Sequence, residues 1–129
     1  SALIAVLCAL PTMAFASEII GIRFGVTSPT QTRLVFDSKG APDYEIDAAA
    51  TGAGVITLAF PNGSFGPQLR STGKGAGHAA SYSAIPNGQT PRVTIALRNS
   101  AKIKEAFVIS PSSGSPNYRL VIDLVSAPV

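Results

Sequence analysis

Residues 32–37 read TRLVFD and residues 118–124 read YRLVIDL. Side chains on an extended chain alternate between two sides with a period of two residues. Leu34 and Phe36 therefore share one face of the first stretch, while Arg33, Val35 and Asp37 take the other. In the second stretch Leu120, Ile122 and Leu124 fall together, opposite Arg119 and Asp123. VITLAF at 55–60 sets Ile56, Leu58 and Phe60 on one side, and PRVTIAL at 91–97 does the same for Val93, Ile95 and Leu97. Each of these four stretches is a strand with one oily face. Weaker alternation predicts strands over 19–26, 43–47, 79–85 and 102–109, the last interrupted by Glu105 at an expected bulge.

Turn residues separate these runs: SPTQ from Ser28, SKGAP from Ser38, TGAG from Thr51, PNGQ from Pro86, and SPSSGSPN over 110–117. Strands recurring about every ten residues between such turns point to a sandwich or barrel. The order also repeats at an offset of about 60 residues: the strand after Gln31 has a counterpart after Thr90, that at Tyr44 one at Ile103, and that at Val55 one at Leu120. The expected fold is all-β, a β-sandwich of two pseudo-symmetric four-stranded sheets, each half of the chain forming one sheet. Between the halves, PNGSFGPQLRSTGKGAG at 61–77 has no periodicity and reads as a mobile connector.

Composition agrees with one globular domain. Of 129 residues 46% are hydrophobic and 13% charged, and 12 Gly with 10 Pro leave no room for long uninterrupted helices. The net charge of +3 comes from 10 basic and 7 acidic residues dispersed along the chain. Nucleic-acid binders carry clustered basic footprints, so nucleic acid is not an expected partner. The opening SALIAVLCALPTMAFA is uncharged and ends in an A-x-A pattern, which reads as the remnant of a secretory signal peptide over 1–16, cleaved between Ala16 and Ser17. Cys8 follows Leu7 rather than a small residue, so it reads as part of the removed segment and not as a lipidation site. The expected mature part has no cysteine, and it contains no apolar run near the roughly 18 residues that a spanning helix needs. The folded domain is expected over 17–125, with 126–129 opening a linker to a further C-terminal domain.

The pattern arginine, three apolar residues, aspartate occurs twice, at Arg33–Asp37 and Arg119–Asp123. With the signal segment, the DYEI strand and the terminal YRLVIDL strand, it makes the chain resemble the AMIN domain from Glu18 to Leu124. This resemblance implies a β-sandwich of two similar four-stranded sheets. It also implies a non-catalytic peptidoglycan-binding module that targets a periplasmic N-acetylmuramoyl-L-alanine amidase to the septum during daughter-cell separation. Zinc would belong to a separate catalytic domain, and this segment itself would carry no cofactor. Implied partners are peptidoglycan and envelope or divisome proteins. An alternative within the resemblance is a docking module of a secretin-type envelope assembly, pairing through edge strands; an inhibitor or adhesin sharing only the fold is a third. The 61–77 connector is longer and richer in glycine than the resemblance implies.

A catalytic zinc takes about three protein ligands, and the expected mature part offers a single histidine, His78, read as an exposed loop residue. No G-x-S-x-G elbow is present, so no enzyme is expected in this segment. Asp43, Glu45 and Asp47 alternate along one strand and read as a solvated, charge-protected edge. The candidate ligand-binding residues are the outward Arg33, Asp37, Arg92, Arg98, Arg119 and Asp123, with Arg70 and Lys74 of the connector as a second basic group. Guanidinium forks match the carboxylates of wall peptides or acidic polymers. The simpler reading is that Arg33 with Asp37 and Arg119 with Asp123 belong to cross-strand ion pairs. Tyr44, Tyr82 and Tyr118 lie beside turns, where a ring stacks on sugar or covers a sheet end. With no Trp, glycan binding is expected to be weak.

Overall fold

The computed structural model describes residues 16–47, 54–88, 90–98 and 100–127, and these form an all-β protein. The described strands are β1 (Ser17–Ser28), β2 (Gln31–Lys39), β3 (Glu45–Asp47), β4 (Val55–Ala59), β5 (Gly63–Phe65), β6 (Thr72–Lys74), β7 (Ala79–Ile85), β8 (Arg92–Leu97), β9 (Ala101–Ile109) and β10 (Tyr118–Ser126). They make two five-stranded sheets, a first in the order β5-β1-β2-β10-β9 and a second in the order β3-β4-β8-β7-β6. All eight expected strands are present. The expected signal segment lies outside the described residues except for Ala16, and Cys8 lies outside them. Ser126, placed at the head of the expected linker, is the last residue of β10.

The connector departs from expectation because it is ordered. Its two short strands extend the sheets from four strands to five: β5 runs parallel to β1, and β6 runs antiparallel to β7. An exposed sheet edge offers unpaired N–H and C=O groups, and a glycine-rich segment crossing it can satisfy its own backbone there. Gly66 N donates to Ile19 O at 2.8 Å, and Ala84 N donates to Ser71 O at 2.7 Å. Phe65 and Leu69 of the same segment pack on the core. Period-2 reasoning cannot see such a strand, because three residues are too few to show a period.

The halves of the chain do not each form a sheet. Each half sends one hairpin to each sheet: β1-β2 and β9-β10 build the first, β3-β4 and β7-β8 the second. The central contacts are β2 with β10 and β4 with β8, both antiparallel. Replacing β1, β2, β3 and β4 by β7, β8, β9 and β10 converts one inner order into the other, with β5 and β6 on equivalent edges. The offset read in the sequence therefore corresponds to an exchange of sheets.

The inward residues of both sheets share one apolar cluster in which Leu34, Phe36, Ile56, Leu58, Phe60, Val93, Ile95, Leu120, Ile122 and Leu124 are fully buried. Aromatic rings link the sheets: Phe36 lies 5.7 Å from Phe60, and Phe24 stacks on Tyr82 at 6.1 Å. Tyr82 is thus a core residue and not a sheet-end ring. Gly73 lies opposite it, and any side chain there would run into the Tyr82 ring. In β9 the interruption is a bulge, but the extra residue is Lys104, since Glu105 stays opposite Asp123 and Ile103 opposite Leu124.

His78 corrects a second expectation, being only 6% exposed. The chain enters β7 through Gly77 at φ 56°, in the left-handed region that glycine tolerates. The His78 N–H donates to Thr32 Oγ1 at 2.9 Å, Nδ1 lies 2.8 Å from that same oxygen, and Nε2 lies 2.9 Å from Ser126 Oγ. A Thr32 hydroxyl that accepts from the backbone and donates to Nδ1 leaves the ring proton on Nε2, facing Ser126. One residue just before β7 thereby clips the second sheet to β2 and β10 of the first.

Phe36→Ala is expected to lower stability by about 3–5 kcal/mol, whereas Val108→Ala, at a position 38% exposed, should stay within about 0.5 kcal/mol. Thr32→Val strands the His78 N–H and is expected to destabilise by about 1–3 kcal/mol. Urea unfolding of the three variants beside the parent chain checks both statements.

Candidate binding faces

On the first sheet, β1, β2, β10 and β9 place their outward residues in rows. One row runs Gly21, Asp37, Arg119 and Ile109; the next Arg23, Val35, Val121 and Phe107; the third Gly25, Arg33, Asp123 and Glu105. Arg33 crosses to β10 and binds Asp123 with Nε at 2.8 Å and Nη2 at 3.0 Å. Its guanidinium also lies 5.8 Å from the centre of the Phe107 ring. Asp37 is taken by Arg23 of β1, with Nε at 2.7 Å and Nη2 at 2.8 Å. Two fork-to-carboxylate pairs thus lock this face laterally, in the bidentate geometry in which guanidinium is strongest.

Their electrostatics follow from these bonds. The hydrogen bonds from Arg33 hold the Asp123 carboxyl below its ordinary range, against the opposing effect of burial and with help from the Arg33 charge. Arg33 and Arg23 are each raised, chiefly by the bonds to Asp123 and Asp37. Asp123 has only 1% of its side chain exposed, while Arg33 keeps 40%.

The six outward candidates therefore do not form one face. Arg33, Asp37, Arg119 and Asp123 lie on the first sheet, but the ion pairs join Arg33 to Asp123 and Arg23 to Asp37. The Nε of Arg119 is buried and has no hydrogen-bond partner among the described residues. Arg92 belongs to the second sheet, and Arg98 lies just past β8, exposed, with its N–H donated to His78 O at 2.7 Å. Of the connector pair, Lys74 is exposed on β6 and Arg70 is exposed just before it. Arg23 escaped the sequence reading, although Gly21, Arg23 and Gly25 alternate outward along β1, and a lone arginine between two glycines on one face is a legible signal.

The outward face of the second sheet is built from small residues. Thr57, Thr94, Ser83 and Thr72 stand in register across β4, β8, β7 and β6, with Asp47 of β3 at the end of the row. The neighbouring row holds Glu45, Ala59, Arg92 and Ile85. A recess of about 240 Å³ opens among Glu45, Ile46, Asp47, Thr57, Ala59 and Arg92. Neither Glu45 nor Arg92 makes an ion pair among the described residues.

A smaller recess of about 160 Å³ lies beside His78, lined also by Val26, Ser28, Pro29, Thr32 and Gly77. Ser126, His78 and Thr32 stand in line there as hydroxyl, imidazole and hydroxyl. Thr32 supplies no carboxylate, and the N–H groups of Ser126 and Ala127 are donated to Thr30 O and Ser100 O, so neither is left to stabilise an oxyanion. The geometry suits a structural clip. Among the described residues no group of three His, Cys, Asp or Glu side chains is placed to hold a metal ion. No known family model and no curated protein sequence matches the chain.

Asp123 binds a proton less readily in the folded chain than in the unfolded one. Its stabilisation is therefore complete above the unfolded carboxylate value of about 3.9 and is lost as pH falls through the lower folded value. Asp123→Asn is expected to destabilise by about 1–3 kcal/mol at neutral pH, leaving Arg33 without its counter-charge, and to flatten the fall in stability on the acid side. Urea unfolding at pH 7 and at stepped pH values below 4 measures both effects.

Proposed function

We propose that this chain is a non-catalytic module that holds a periplasmic cell-wall hydrolase against peptidoglycan, an AMIN-type β-sandwich whose parent is a zinc-dependent N-acetylmuramoyl-L-alanine amidase. The observation that carries this reading is the strand order. Two four-strand units interchange on moving from the first half of the chain to the second, and the paired arginine-to-aspartate motifs fall on β2 and β10, the central partners of one sheet. A sandwich of the two sheets is supported by their shared core and by the ring contacts of Phe36 with Phe60 and Phe24 with Tyr82. The zinc and the chemistry of amide cleavage would reside in another domain, and the place of action would be the periplasm at the septum.

Outer sheet faces with few aromatic side chains suit weak contacts repeated along a polymer, where tethering supplies effective concentration. A second reading, docking to an envelope protein, is favoured by one feature: β9 has no partner on its outer side among the described residues. Lys102, Lys104 and the bulge guard one half of that edge, and residues 106–109 carry no charge.

Co-sedimentation of the purified chain with insoluble peptidoglycan sacculi over a salt series tests the wall reading. Retention at low salt that declines as salt rises is expected. A chain that stays in the supernatant at every salt concentration would overturn it in favour of docking.

A further inference from the structure

The recess at the β3 side of the second sheet places two opposite charges around one cavity without letting them meet. Glu45, Ala59 and Arg92 stand in register on three adjacent strands. Strand spacing of about 4.8 Å puts the Glu45 and Arg92 backbones about 9.5 Å apart, and the residue between them contributes only a methyl group. Both end residues are exposed, both line the recess of about 240 Å³, and neither is ion-paired among the described residues. The Thr57 hydroxyl adds a donor and acceptor beside the Ala59 floor. On the first sheet, by contrast, Arg23 and Arg33 already hold carboxylates of their own.

We propose that this slot binds an α-amino acid centre whose ammonium and carboxylate are both free, the ammonium on Glu45 and the carboxylate on the Arg92 fork. The chemistry suits it: the ammonium of an amino acid donates to a carboxylate and its carboxylate accepts from a guanidinium fork, so one zwitterion bridges two opposite charges that do not pair with each other. A simple anion would satisfy Arg92 alone, and a simple cation would satisfy Glu45 alone. Within the wall-binding reading, on which the source of this ligand rests, the matching group is the free end of an uncrosslinked diamino acid in a stem peptide. A free amino acid in solution offers the same chemistry.

The test is an NMR titration of the chain with a tripeptide ending in meso-diaminopimelate, alongside the same peptide acetylated at its free amine, the same peptide amidated at the adjacent carboxylate, and meso-diaminopimelate alone. Saturable amide shifts confined to Glu45, Thr57, Ala59, Arg92 and their neighbours are expected with the parent peptide. Each blocked peptide should bind at least about tenfold more weakly, as should Glu45→Gln and Arg92→Gln, which change exposed side chains and so leave the fold intact. Binding of free meso-diaminopimelate as tight as that of the peptide supports the slot and assigns it to the free amino acid; tighter peptide binding assigns it to the wall. Equal binding of blocked and unblocked peptides, shifts mapping elsewhere, or none at millimolar peptide would overturn the proposal. Sacculus retention that persists in both Gln variants without slot shifts removes the slot and keeps the wall reading. Slot shifts without retention by sacculi do the reverse.

Discussion

Neither sheet can be completed from one half of the chain. The central pair of the first sheet joins β2 to β10, and the Arg33–Asp123 ion pair that crosses it links residues 90 positions apart. The second sheet closes only when β4 meets β8. Each hairpin alone would leave its oily face in water, since two strands do not bury enough surface to stand by themselves. Assembly is therefore a long-range event, in which loop-closure entropy is lost before most apolar burial is gained, and such topologies fold slowly and cooperatively. The glycine-rich crossing belongs to the same solution. As it travels between the halves it covers one edge of each sheet, and it delivers His78 to Thr32 and Ser126.

The two outer faces divide the charge differently. On the first sheet the guanidinium groups of Arg23 and Arg33 are bound to carboxylates of the same sheet, and Val121 beneath them is only 2% exposed although it points outward. Such a face holds its guanidinium groups on its own carboxylates, with lateral ion pairs in place of a second layer. On the second sheet threonine, serine and alanine leave the backbone plane open, and Glu45 and Arg92 stand apart across Ala59. An outward arginine is therefore a binding candidate where its guanidinium is not already held by a carboxylate of the same sheet.

That distinction explains which parts of the site were legible. Arg33, Asp37, Arg119 and Asp123 were correctly placed on the outward side, because side-chain parity along a strand is local. Their partners were not: Arg33 meets Asp123 across strands 90 positions apart, and Asp37 meets Arg23 diagonally across the β1-β2 hairpin, contacts that side-chain parity along a single strand does not encode. His78 looked like a loop residue for a similar reason: its neighbours in the chain are Gly77 and Ala79, and what buries it arrives from Thr32 and Ser126.

Read alone, the sequence determined the all-β class, the places of eight strands and the residues that face inward, since a period of two decides the side on which each side chain falls. Tertiary structure decided how hairpins are distributed between sheets, that three-residue segments of the crossing become edge strands, and which charges are satisfied and which remain open. Those outcomes depend on the lateral neighbour of each strand, and hydrogen-bonded register between distant segments leaves no local periodic trace for a sequence to carry.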